Sequence, residues 1–337
     1  MRLVALLSSF AFCGLSDLVS LAADGFQWQA PAADHVDLTF DGRPALRYVM
    51  PQLDESSPER RNETFKPFHH VWSPDGKTLL TKGTGGLYPH HRGLFYGFNK
   101  ITYGDGKQCD AWHCTGKAYQ SHREALLQKA TKRFAVQSVR IDWHGEDGEV
   151  FAHETRFVEV SRQEHYGAEG WLITFASQLR TADGQPIHLD GDPQHAGFQF
   201  RASQYVPDHA AQQTYYLRPD GKGEPGETRN WDHEHADAPG NARSENLPWN
   251  AMSVVIDGKR FTIVYLDHPS NPKPARYSER DYGRFGSYFV ADVTADKPLD
   301  VMYRLWIQAG EMTVDACQSL SQTFIVEAPP MQPSDAP

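Results

Sequence analysis

Asp-Gly pairs cut this chain into short pieces. Asp41-Gly42, Asp75-Gly76, Asp147-Gly148, Asp183-Gly184 and Asp257-Gly258 each end or separate an apolar run. Both central positions of a tight hairpin turn need positive φ, which Asp and Gly adopt cheaply, so Asp-Gly between apolar runs reads as a β-hairpin. The runs at 26–29, 36–40, 45–50, 68–72, 139–144, 150–160, 171–180, 195–201, 253–256, 261–266, 287–293 and 299–308 are therefore predicted as strands. Residues 52–62 read as an exposed charged loop, and 119–140 fits either strands or a short helix. Residues 206–249 read as a long polar excursion over the surface. The expected fold is all-β: a large antiparallel β-sandwich of supersandwich type with few short helices.

The 337 residues could fill one large or two ordinary domains, and no composition shift marks a boundary. We therefore expect an export signal over 1–22, one β-sandwich domain over 23–327 and a flexible proline-rich tail over 328–337. Met1-Arg2 carries the positive charge, an apolar stretch follows from Leu3 to Leu15, and Ser20-Leu21-Ala22 supplies small residues for cleavage. That reading predicts a periplasmic or secreted protein. No apolar run is long enough for a membrane span. A net charge of −10 without a long basic run argues against nucleic-acid partners. Beyond the signal stand Cys109, Cys114 and Cys317, too few for a disulfide scaffold and expected as free, partly buried thiols.

The 16 histidines are numerous for this length. The richest stretch is Tyr88-Pro89-His90-His91-Arg92-Gly93, which leads into the apolar run Leu94 to Phe98. Pro89 fixes its own φ and Gly93 permits a close backbone approach, so a polar loop is held at the mouth of a buried strand. In the strand from His195 to Arg201, alternation points Phe198 and Phe200 one way and His195, Gln199 and Arg201 the other. Asp190 and Asp192 add carboxylates at its entrance. A third group joins His268, Asn271, Arg280 and Tyr282, while His113, His122 and the His153-Glu154-Thr155-Arg156 run are weaker candidates.

From these we assign His90, His91, Arg92, His195, Arg201 and Tyr282 to catalysis, and His113, Gln199, Asp192, His268, Asn271 and Arg280 to substrate binding. There is no His-Glu-x-x-His, no paired Cys-x-x-Cys and no Gly-x-Ser-x-Gly. A divalent metal, if bound, would have to come from histidines distant in sequence, for which His91, His113 and His195 are the candidates.

The motifs Ser73-Pro74-Asp75-Gly76, Tyr88-Pro89-His90-His91-Arg92-Gly93, His195-Ala196-Gly197-Phe198 with Arg201, and His268-Pro269-Ser270-Asn271-Pro272 with Arg280-Asp281-Tyr282-Gly283 occur in that order. Together they resemble the family labelled PmoA-like, or methane oxygenase PmoA, common in planctomycetes and related bacteria. The similarity runs from about Val36 to about Phe324. The methane oxygenase subunit is a membrane protein, which this chain does not resemble in hydropathy. Members of the family tend to be secreted or to occur beside carbohydrate-degrading proteins, so the resemblance implies saccharide chemistry.

Three functions follow as expectations. The first is a carbohydrate-active enzyme, a lyase or hydrolase acting on a glycoside or oxidised sugar. Elimination needs a base, a cation for the developing enolate and an acid, which histidine, arginine and Tyr282 provide. Hydrolysis needs two opposed carboxylates, and no pair declares itself. The second is a non-catalytic saccharide-binding protein, and the third is a histidine-bound metal enzyme. The partner in each case is a saccharide or another small molecule.

Overall fold

A computed structural model describes residues 24–326. The expected export signal over 1–22 and the proline-rich tail over 328–337 both lie outside them. Every pairing between the strands is antiparallel, and they form three sheets of eight, nine and four strands. The fold is an all-β sandwich. The eight-stranded sheet contains, side by side, Phe68–Val71, Leu94–Phe98, Ala196–Arg201, Arg284–Tyr288 and, at its edge, Arg276–Arg280. The nine-stranded sheet has at its centre Lys259–Asp267, Leu299–Ala309, Ala168–Thr181 and Val150–His165.

Alternation decides what each sheet buries. Leu94, Tyr96 and Phe98 enter the main core with Ala196, Phe198 and Phe200 from the neighbouring strand. Across the layer, Phe198 stacks on Phe175 at 4.3 Å between centroids and lies 5.0 Å from Tyr303. The Tyr265 hydroxyl donates to the Phe198 carbonyl at 3.0 Å, fastening one sheet to the other. A buried Arg156–Glu154 ion pair, 2.7 Å from Nε to Oε1, accepts a further bond from Trp143 Nε1 at 2.9 Å. Glu154 and Arg156 of this run are thus core residues, while His153, on the other face and partly exposed, hydrogen-bonds Asp142 at 2.6 Å.

The turns form as expected: Asp41 and Gly42 have φ of 48° and 73°, and Asp257 and Gly258 have 50° and 72°. Three expectations need correcting. Within 52–62 a short helix, Pro58–Thr64, begins where the Ser57 side chain accepts the Arg60 N–H at 3.2 Å. Seven residues are too few to show a helical period, although Ser-Pro-Glu is a good N-terminal signal. Residues 206–249 are not all surface: Tyr215–Arg218 is a buried strand of the nine-stranded sheet, with Arg218 paired to Glu279. Residues 287–293 divide between two sheets, Arg284–Tyr288 in one and Ala291–Val293 in another. Cys109, Cys114 and Cys317 are free and buried.

Candidate functional site

The face of the eight-stranded sheet that points away from the main core is covered by loops. On it lie Phe95, Gln199 and Arg201, the odd set of the same alternation that buries Phe198, together with Arg284, the register partner of Arg201. Gln199 and Arg201 do not meet solvent, being 0% and 1% exposed. Arg201 Nη1 donates to Gln199 Oε1 at 2.7 Å, and Nη2 donates to the Gln194 carbonyl at 2.7 Å. Trp112 covers the Arg201 guanidinium at 5.2 Å and packs on Phe95.

Two of the glycines make this closeness possible. A Cβ on Gly93 would collide with the His69 carbonyl oxygen. Gly197 has φ of 77°, and a Cβ there would collide with the Ser287 carbonyl.

Over this face three loops bring His90, His113 and His195 together. One ligand-capable atom from each lies within 4.8 Å of the others. The ring centroids are 4.7 Å apart for His90 and His113, 4.5 Å for His113 and His195, and 5.5 Å for His90 and His195. Two of the three are held in the same way. Asp110 Oδ2 accepts His113 Nδ1–H at 2.7 Å while its Oδ1 accepts the Trp112 and His113 backbone N–H groups. Asp192 accepts His195 Nδ1–H at 3.0 Å and the Gln194 N–H at 2.8 Å. A carboxylate can only accept, so Nδ1 carries a proton in both rings, and the neutral form of each would keep the Nε2 lone pair. His90 Nε2 is buried with no protein partner.

His90 is placed by its turn. Tyr88 takes φ of 56°, and its carbonyl accepts the His91 N–H at 2.9 Å. Arg92 spends its guanidinium on the carbonyls of Pro89, His91 and Asn62 and stacks on Phe65. It braces the turn instead of facing the cluster.

Burial and the neighbouring His113 push His90 down to about 2. Burial, with Arg201 and His90 nearby, holds His91 far below the usual imidazole range. Burial also lowers His195, against the pull of Asp192. Burial would raise Asp192, yet its bonds to His195, Gln194 and Asn99 hold it below the usual carboxylate range. Beneath Trp112, burial brings Lys66 down to about 7, with its ammonium donating to the Trp112 carbonyl.

Neutral imidazoles with free Nε2 atoms, backed by carboxylates on Nδ1, are what a first-row transition cation requires. Hard cations prefer oxygen donors. The set that the structure brings together therefore corrects the expected one: His90 replaces His91 beside His113 and His195. His91 turns instead toward Tyr88, at 4.9 Å, and Tyr282, at 6.1 Å and nearly parallel. Asp192 supports His195 and also accepts from Gln194 N–H and Asn99 Nδ2.

His268 and Asn271 lie elsewhere: Asn271 ties Asp267 at 2.5 Å to the Met302 backbone, and His268 packs on Phe324. Asp110 was not among the expected residues. Its signal was present as Asp-x-x-His, a spacing repeated at Asp192/His195 and at the exposed pair Asp232/His235. Two clefts of about 880 and 1070 Å³ open elsewhere, the first beside Phe40 and Arg162 and the second beside Asp54 and His70. Neither contains a member of the histidine cluster.

A family model described as a family of unknown function, DUF6807, matches residues 35–322. The chain belongs to this family. All three clustered histidines fall inside the DUF6807 match. No curated protein matches the sequence. Among solved structures, a galactose mutarotase related enzyme from Lactobacillus acidophilus is similar at 11% identity and TM-score 0.32, over 86% of this chain and 98% of that one. A polysaccharide lyase is similar at 9% identity and TM-score 0.27, over 88% of this chain and 34% of the lyase. This chain thus spans about a third of the lyase's length. Similarity this distant leaves the site of the DUF6807 chain to be read from its own residues.

Proposed function

We propose that this protein is a metal-dependent carbohydrate-active enzyme, a lyase or hydrolase, in which His90, His113 and His195 hold a divalent transition cation. The observation that carries the reading is the convergence of two Asp-x-x-His pairs with a third, unpartnered imidazole. Such a cation would polarise a substrate oxygen or lower the pKa of bound water.

The chain's own residues support the rest. Asp110 and Asp192 orient their imidazoles and keep Nε2 available. His91 is held neutral beside Tyr282, as a base must be before it takes a proton. Tyr282, stacked beside His91, is the candidate proton donor. Tyr88, 37% exposed and 5.0 Å from Tyr282, offers an aromatic face with a polar tip, which suits a sugar ring. The export signal read over 1–22 would place this activity in the periplasm or outside the cell.

Elemental analysis of purified protein, with thermal shift on adding zinc, cobalt, nickel or magnesium, tests the centre. One equivalent of a transition metal and stabilisation by those ions but not by magnesium are expected. Absence of binding by every ion would overturn the reading. Screening glycosides and oxidised sugars for product, with a chelator as control, tests the reaction. A metal-free sample with full turnover would refute metal dependence.

A further inference from the structure

Arg201 and Arg284 are register partners on adjacent antiparallel strands, and Arg284 is in turn the partner of Arg280. Three guanidinium groups thus form a row across the outer face of the sheet. Like charges placed directly opposite repel, and buried charges are costly unless paired. Arg201 and Arg284 are each 1% exposed, and Arg280 is half-buried. Among the described residues, no carboxylate forms an ion pair with any of the three.

Their hydrogen bonds go to neutral acceptors. Arg201 uses Gln199 and the Gln194 carbonyl, Arg284 uses the Pro193 carbonyl at 3.3 Å and Ser278 Oγ at 2.9 Å, and both Nε groups are buried without a partner. Those carbonyls belong to the turn that presents His195, so Arg201 and Arg284 lie directly under the cluster. An uncharged amide such as Gln could support the same carbonyls. Charge here serves something else. Asp110 and Asp192, the carboxylates of the cluster, already accept from His113 and His195.

We infer that the ligand of this site is an anionic saccharide, a sugar bearing a carboxylate or another oxyanion, and that the Arg201–Arg284–Arg280 row supplies the compensating field. The inference rests on the site proposed above and adds the charge of its substrate. An anion arriving over the row would give the buried guanidinium groups the counter-charge that the fold withholds, at a place where low dielectric strengthens the attraction.

Calorimetric titration of the full chain with glucuronate, glucose 6-phosphate and glucose tests this. At least one charged sugar should bind ten-fold or more tightly than glucose, and whichever does so identifies the oxyanion. Arg280→Gln, at a half-buried position, should cut that preference ten-fold or more while leaving metal content unaltered. Arg284→Gln should do the same if it folds. Equal binding of all three sugars, or a preference that survives Arg280→Gln, would overturn the inference. Metal content of the same samples separates the two readings. A metal-free protein that prefers the charged sugars keeps this inference and defeats the metal centre. A metal-loaded protein without preference does the reverse.

Discussion

Asp110 holds His113 as Asp192 holds His195: in each pair a carboxylate three residues earlier accepts Nδ1–H, at 2.7 and 3.0 Å. The two rings then meet at 4.5 Å although 82 positions separate them, the difference between 195 and 113. Each aspartate also caps its own turn through backbone N–H groups, so ring orientation and loop shape are set by one side chain. If the cluster binds a cation, Asp110→Asn and Asp192→Asn should each weaken it by about 10–100-fold while the fold persists. Competition with a metallochromic chelator measures this.

Removing a ligand should act more severely than removing its support. His90→Ala, His113→Ala and His195→Ala are each expected to abolish stoichiometric metal binding, as read by elemental analysis. His91→Ala should retain the metal and lose turnover, because His91 faces Tyr88 and Tyr282. Retention of metal by His90→Ala with its loss in His91→Ala would reverse this assignment.

Arg201 is a harder target. Its guanidinium is buried and ties Gln199 to the Gln194 carbonyl, so Arg201→Ala leaves both without a donor. A cost of about 2–5 kcal/mol is expected, at about 1–3 kcal/mol for each buried acceptor left unsatisfied. Urea denaturation of Arg201→Ala against wild type reads it, and activity loss in that variant must be judged on folded protein only.

Acid should destabilise the protein through its buried imidazoles. His69 is 1% exposed, neither ring nitrogen has a partner, and burial with Arg156 nearby holds it well below the usual range. Its folded pKa is depressed, so below about pH 6.5 the unfolded chain binds a proton that the folded one refuses. Stability contributed by neutral His69 is complete above that pH. It is lost at roughly 1.4 kcal/mol per pH unit as pH falls. Burial also lowers His70, to about 4, and it acts in the same direction until then. Denaturation midpoints at pH 7.5 and 5 should differ accordingly, and His69→Phe should flatten the dependence.

Gly197→Ala forces a side chain onto a left-handed backbone and into the Ser287 carbonyl. Gly93→Ala drives one into the His69 carbonyl. Both should cost on the order of 2–4 kcal/mol or prevent folding, Gly197→Ala through backbone strain with overpacking and Gly93→Ala through overpacking alone. An exposed control is Gly42→Ala, whose Cβ meets nothing but whose φ is still positive; it should cost about 1 kcal/mol. Thermal melts rank the three.

The strands, their hairpin turns and the two-faced pattern from His195 to Arg201 were legible in the sequence, because a period of two and the φ preferences of Asp and Gly are local properties. So were most residues of the cluster as a pool of imidazoles and guanidinium groups. The short Pro58–Thr64 helix was hidden by its length, and the Tyr215–Arg218 strand by the polar text around it. Which histidines meet was decided only in three dimensions. His90 faces the cluster and His91 faces Tyr282 because Tyr88 takes a left-handed turn and Arg92 braces the loop. Asp110 became visible as a support, and His268 and Asn271 proved to be tethers to the Met302 backbone. Arg201 and Arg284 became partners through strand register, and register depends on how distant segments pack, which no single stretch of sequence specifies.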